Sequence, residues 1–371
     1  MNKFYRNSIL PRLYFPVFYI HLLLSNLISL LFYFRKSTNN TKLVISAGIR
    51  GWESIEFKEL YTSACEYLGD EKVFKHSLED NSKYFSDLKN TLKNINCTHF
   101  VYDPRTGNQS TCFGSFEAIK ISLLLISKNI TPIVLSTDLS IRSWRIKSSL
   151  VSVISGIVIC FVSSKKIHPI FPHKRLFGPF LMSLSLRTFD NLENLKLKNE
   201  NVTDKKAIFI GSLYEPRTTD LNFIKSGLNK KGFDLDIRGR VLGGARKPDS
   251  EYWSTMVNAD IIFTTADQIS NPEIDWSWIQ NLVYRYLEVL ASGSLLIAPK
   301  VPGVDRYFKP GIHFVSYENN DDAIEKISYY LKNSKLRNEI AKNGNKIARS
   351  LIESRIFWTL IDSNLSYKSL K

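Results

Sequence analysis

The sequence predicts an α/β protein of two Rossmann-like domains facing a cleft, preceded by an apolar N-terminal helix. Three observations predict it. Short apolar, β-rich runs alternate with amphipathic stretches. The alternation pauses at a polar stretch and then restarts. A long uncharged run comes before all of it. Alternation of this kind gives parallel sheets with helices on their faces.

The uncharged run is Tyr14–Phe34, with Lys3, Arg6 and Arg12 before it and Arg35 and Lys36 after it. Its length suits a bilayer span, and aromatic residues crowd both ends, as at membrane interfaces. No small-residue cleavage site follows it. Residues 1–38 are therefore expected to form a membrane-associated segment, either spanning the bilayer or lying in the interface. A helix packed on the protein is the plainer alternative. The two folded domains are expected on the cytoplasmic side.

Residues 39–190 form the first predicted domain. Leu43–Ala47, His99–Tyr102, Pro132–Ser136 and Gly156–Val162 read as strands, with helices such as Phe57–Leu68 and Phe116–Ser127 between them. Residues 191–206 are mostly polar and read as a linker. The second domain, 207–346, has strands at Ala207–Ile210, Phe233–Ile237, Asp260–Thr264, Ser294–Ala298 and His313–Val315. Its helices include Trp278–Ala291 and Ala323–Asn333. Residues 347–371 read as a C-terminal helix that crosses back to the first domain. A chain of 371 residues is ample for two cores.

The formal net charge of +15 calls for anionic company: nucleic acid, anionic lipid or a phosphorylated substrate. A plain abundance of Lys is the bland alternative. The basic residues are scattered and no finger spacing appears, which argues against nucleic acid. Cys65, Cys97, Cys112 and Cys160 form no CxxC pair, and the six His are dispersed. No structural metal or disulfide framework is expected.

The second half carries the most informative residues. Ala207–Ser212 reads as a strand running into a glycine turn at Gly211, and a helix follows near Thr218. A strand, a turn and a helix start together present backbone N–H groups and a positive dipole end to an anion, and Arg217 adds a cation. Further on, Glu288 reads as an acid in the last turn of a helix, an unfavourable place against the dipole. A carboxylate there can accept two hydrogen bonds from a ribose diol. The alternative is a solvated Glu, or one paired with Arg285. Both readings stand on the pattern alone.

Arg285-x-x-Glu288-x-x-x-x-Gly293 resembles a signature of GT-B glycosyltransferases of the family-4-like and CgeB-like group. The likeness continues through Pro302-Gly303-Val304, Phe308–Gly311, the helix Asp322–Leu331 and Leu336–Gly344. The Gly211–Arg217 segment and Tyr252-Trp253…Asn258–Ile261 resemble the same group. Coverage runs from about Ala207 to Arg349. The resemblance implies that Glu288 holds the donor ribose, with Arg285 in the same signature. It implies that Gly211, Ser212 and Arg217 hold the diphosphate. Where many relatives carry a second Glu, this chain has Gln280. A nucleotide-diphosphate sugar is implied as co-substrate, with no cofactor.

Asp234-Leu-Asp236 has the spacing of a metal-binding D-x-D loop but lies in an apparent strand, and reads as structural. In the first half, Arg50, Gly51 and Trp52 follow the first strand and are candidates to bind the acceptor. Asp138 is the first candidate for the base that deprotonates the acceptor hydroxyl, Asp103 the second, and Glu53 a further one. The expected activity is metal-independent transfer of a sugar from a nucleotide-diphosphate sugar to a lipid-linked or glycan acceptor. The alternatives are a nucleotide-sugar epimerase on the same fold and a catalytically degenerate membrane-bound scaffold.

Overall fold

A computed structural model describes residues 41–47, 51–76, 81–108, 111–152, 156–168, 171, 175–198, 207–241, 244, 247–267, 270 and 275–366. The Tyr14–Phe34 run lies outside them. No helix among the described residues is long and apolar enough to cross a membrane. The chain divides into two compact units. One is Met1–Phe180 with Trp358–Lys371, and the other is Leu181–Phe357.

The first unit runs β1 (Leu43–Ser46), α1 (Ile55–Leu68), β2 (Val73–His76), α2 (Tyr84–Asn94), β3 (His99–Tyr102) and α3 (Thr111–Ser127). It continues with β4 (Thr131–Ser136), α4 (Arg142–Val151), β5 (Ile157–Cys160), α5 (Ser164–Ile167) and β6 (Leu176–Phe177). All pairings are parallel, in the order β2-β1-β3-β4-β5-β6. β1 and β5 are buried along their whole length, as expected of central strands covered on both faces.

The second unit runs α6 (Leu186–Lys198), β7 (Ala207–Leu213), α7 (Arg217–Lys230), β8 (Leu235–Val241), α8 (Asp249–Val257) and β9 (Ile261–Phe263). It continues with α9 (Arg285–Ser292), β10 (Leu295–Pro299), β11 (Val315–Tyr317), α10 (Asn320–Lys332) and α11 (Ser334–Glu353). The last helix, α12 (Ile356–Ser366), lies mostly in the first unit. There Trp358 Nε1 donates to Ser63 Oγ at 3.0 Å, and Tyr67 Oη donates to Asp362 Oδ2 at 2.5 Å. The second sheet is again parallel, in the order β11-β10-β9-β7-β8. Read from its other edge, 8-7-9-10-11, it repeats the 2-1-3-4-5 order of the first.

The local structure departs from the sequence reading in three places. The stretch read as a linker from residue 191 opens inside α6. Phe189 and Leu192 are buried on one face of that helix, and this burial holds a charged segment helical against α8, α9 and α11. The expected glycine turn at Gly211 is strand instead. β7 stays paired with β8 as far as Leu213↔Val241, and the turn falls at 214–216. The helix expected over Trp278–Ala291 begins only at Arg285. Ile279, Leu282 and Tyr286 are spaced like a helical face and all are buried, but Ile279 and Leu282 reach the core from irregular chain.

The motif glycines near the end of this unit have packing reasons. Gly293 caps α9 in the left-handed region, at φ 74. A Cβ on Gly344 would lie 2.5 Å from the His313 carbonyl oxygen and 2.6 Å from Leu290. α11 therefore approaches α9 closely only because this position has no side chain. Asn345 Nδ2 then donates to the Leu290 and Ala291 carbonyls at 3.2 and 3.0 Å, satisfying the end of α9.

Candidate functional site

In an open parallel sheet, ligands bind outside the carboxyl ends of the strands, where the strand order reverses. In the second unit that point lies between β7 and β9, and Arg217 spans it. As the first residue of α7, Arg217 puts a positive charge at a helix N-terminus, where the backbone dipole also favours an anion. Its Nε donates to Thr265 Oγ1 at 2.7 Å, just beyond β9, and its Nη1 donates to the Ser212 carbonyl at 3.0 Å, on β7. The guanidinium lies over the Tyr214 ring, 4.2 Å from its centroid. Tyr214 Oη in turn donates to the Asp267 carbonyl at 3.0 Å. Burial pulls the Arg217 pKa down from its usual value, and the Tyr214 and Asp267 side chains oppose that. Burial and the nearby Asp220 push the Asp267 carboxyl up. The cation is thus held in one orientation by groups from both sides of the reversal.

Glu288 is not at the end of its helix but in the first turn of α9. The dipole that was expected to oppose this carboxylate favours it there. Glu288 is also buried. Arg285 Nη1 is 3.2 Å from Glu288 Oε2, and Tyr252 Oη donates to Glu288 Oε1 at 2.6 Å. Arg285 also donates to Tyr252 Oη, and its Nη2 donates to the Ile210 carbonyl of β7 at 3.0 Å. Burial pushes the Tyr252 phenol well above its usual value, so it stays protonated and donates. The pairing with Arg285, one of two readings open to the sequence, is the arrangement found. It joins α9 and α8 to β7, the strand that carries Gly211 and Ser212. Gly211 pairs with Gly239 inside the sheet, and a Cβ on Gly211 would press on the Phe209 ring at 3.0 Å.

Asp234 and Asp236 are each paired with a cation, Lys225 at 3.0 Å and Arg238 at 2.8 Å. Among the described residues no group of three or more His, Cys, Asp or Glu is placed to hold a metal ion.

In the first unit the strand order reverses between β1 and β3. Gly51 and Trp52 follow β1; Arg50 lies outside the described residues. Gly51 takes φ 66, and no atom lies within 4 Å of where its Cβ would be. Trp52 is anchored: its Nε1 donates to the His76 carbonyl at 3.0 Å, and Lys75 Nζ sits 5.0 Å from its ring centroid. Asp103, just beyond β3, is fully buried, and Arg105 clasps it through Nε at 2.9 Å and Nη2 at 2.7 Å. A carboxylate enclosed and held in this way is fixed in place by its cation. Asp138, beyond β4, keeps 38% of its side chain exposed, with Arg105 Nη1 at 3.9 Å. Glu53 is exposed and pairs with Lys58 at 3.6 Å.

Lys147 was not anticipated. On α4 it looks like one more basic surface residue, yet it is buried and donates to the Thr106 and Asn108 carbonyls. Burial pushes its pKa down to about 8. With Arg105 it fixes the loop after β3. Thr265 was missed as well, because a hydroxyl beyond a strand carries no sequence signal of its own.

Residues 217–355 match the family model described as glycosyl transferase-like. The match spans α7 to α11 and includes Arg217, Arg285 and Glu288. No curated protein matches the chain. Among solved structures, the chain resembles Anabaena Alr3699/HepE in complex with UDP and glucose, at 10% identity and TM-score 0.55, covering 87% of this chain and 100% of that one. It resembles a glycosyltransferase from Rickettsia africae ESF-5 at 11% identity and TM-score 0.55, covering 90% and 100%. It resembles sucrose-phosphate synthase from Thermosynechococcus elongatus at 9% identity and TM-score 0.55, covering 89% and 100%. At these identities the likeness is one of fold, and it extends over both units. The α/β, GT-B expectation is met in two parallel sheets with interleaved helices.

Proposed function

We propose that this protein is a glycosyltransferase that moves a sugar from a nucleotide-diphosphate sugar to a lipid-linked or glycan acceptor, without a metal ion. The observation that carries the reading is Arg217, held across the strand reversal at the start of α7 inside the residues that match the glycosyl transferase-like family. Sugar–phosphate cleavage leaves a diphosphate with growing negative charge. A preoriented guanidinium and a helix N-terminus stabilise that charge more in the transition state than in the bound donor. Glu288 receives the ribose in this reading, with Arg285 and Tyr252 holding its carboxylate. Asp138, partly exposed beyond β4, takes the proton from the acceptor hydroxyl. Placement at a membrane, with the catalytic units on the cytoplasmic side, is part of the same proposal. The Anabaena structure, with UDP and glucose, supports a nucleotide-sugar donor through shared fold.

The test is a donor screen. The full chain is incubated with a panel of nucleotide sugars, with and without membrane glycolipid extract and with and without a chelator. Release of nucleoside diphosphate that is acceptor-stimulated and chelator-resistant is expected. Strict dependence on manganese or magnesium overturns the metal-free mechanism. Interconversion of the sugar with its nucleotide still attached identifies an epimerase instead.

A further inference from the structure

Helix α3 carries apolar side chains on two opposite faces. Its inner face carries Ala118, Ile121 and Leu125, all buried in the first unit. Its outer face carries Phe113, Phe116, Ile119 and Leu123, which are 67%, 63%, 41% and 61% exposed. At 100° per residue these four fall within an arc of about 120°, so they form one stripe. A helix with two apolar faces is normally buried on both. Half of this helix is not, and contiguous exposed apolar surface of this kind marks a contact site.

The surroundings of the stripe say what covers it. Lys120 lies on the same face of α3, with its Nζ 5.9 Å from the Phe85 ring of α2. Lys83, beside α2, and Lys89 and Lys93 on it are exposed, as is Lys128 just past the end of α3. Glu117 does not offset them outward, because its carboxylate accepts the Asn108 N–H at 2.8 Å. Aromatic and aliphatic side chains flanked by lysines are the composition of an element that lies in a membrane interface. The rings enter the acyl boundary, and the ammonium groups meet anionic headgroups. The net charge of +15 has the sign such a surface attracts. We infer that the outer face of α3, Phe113, Phe116, Ile119 and Leu123 with its lysine border, docks the first unit onto an anionic lipid membrane. This contact is separate from Tyr14–Phe34 and does not depend on the activity proposed above.

The test uses the full chain, so any contribution of residues 1–40 is the same in every sample. Sedimentation is measured with vesicles of phosphatidylglycerol and phosphatidylcholine, and with phosphatidylcholine alone. The parent is expected to prefer the anionic vesicles. Phe113→Ser/Phe116→Ser/Leu123→Ser is expected to lower partitioning into them by about tenfold or more with an unchanged melting curve, since those side chains leave the core untouched. Lys89→Glu/Lys93→Glu/Lys120→Glu is expected to abolish the preference for anionic lipid. As a direct reading, Phe116→Trp fluorescence is expected to be quenched by brominated lipid. Unchanged partitioning of both triple variants, or no quenching at Phe116→Trp, overturns the proposal. So does a serine variant that dissociates an oligomer while vesicle binding stays the same, because the stripe then joins copies of the chain.

Discussion

Arg285 and Glu288 form an ion pair of 3.2 Å inside the second unit, one helical turn apart at the start of α9. Tyr252 bonds to both, and Arg285 reaches on to the Ile210 carbonyl. The pair therefore sets where α9 begins and how it meets β7, whatever else Glu288 does.

Glu288→Gln tests the two roles together. The change leaves a buried guanidinium without its counter-charge, at a cost of roughly 3 kcal/mol in stability. Tyr252→Phe removes one hydrogen bond and costs about 1–2 kcal/mol. Chemical denaturation measures both. Nucleoside diphosphate binding by calorimetry, at a temperature where each variant is folded, isolates the ribose. Weakening in Glu288→Gln but not in Tyr252→Phe supports direct contact with the ribose. Equal binding in folded Glu288→Gln and parent leaves only the structural role.

Arg217→Ala removes the cation at the strand reversal. Turnover is expected to fall by about 10²–10³-fold, with donor affinity falling less. Arg217→Lys restores charge without the planar fork that holds Thr265 and the Ser212 carbonyl, so it recovers only part of the loss. Steady-state kinetics on the donor found in the screen separates turnover from affinity. A variant that loses affinity alone contradicts leaving-group stabilisation.

Asp103 and Asp138 should respond in opposite ways. Asp103→Asn strips the charge from a buried pair with Arg105 and is expected to lower stability by about 3 kcal/mol. Asp138→Asn is expected to melt like the parent and to lose about 10²–10⁴-fold in turnover. If Asp138→Asn keeps full activity, the base lies elsewhere.

The first unit should weaken in mild acid. Burial depresses the His76 imidazole from 6.5 to about 4, with Asp87 opposing slightly. Above pH 6.5 the folded and unfolded chains are both neutral at this site, and no stability is at stake. As pH falls from 6.5 towards 4, the unfolded chain takes up a proton that the folded one refuses. The loss is on the order of 3 kcal/mol and levels off below the folded pKa. Denaturation midpoints at pH 7 and pH 4.5, compared between the parent and His76→Gln, measure it. A pH dependence unaltered by the substitution removes His76 as its source.

By itself, the sequence determined the class of the fold and the place where the second α/β unit begins. Strand runs such as His99–Tyr102 and the restart at Ala207 are legible because period and burial are local properties of the chain. Arg217 and the Arg285–Glu288 spacing were legible for a similar reason, since a helix start and an i,i+3 pair are short-range patterns. Tertiary structure alone decided what those residues meet. The start of α9 was misplaced because Ile279, Leu282 and Tyr286 have helical spacing while the first two are buried from irregular chain. Asp103 looked as available as Asp138 until Arg105 folded over it, and Lys147 looked solvated until α4 packed it beneath the loop after β3. Burial of a charge depends on which distant segments cover it. Those contacts come from sheet order and helix packing, which no local pattern encodes.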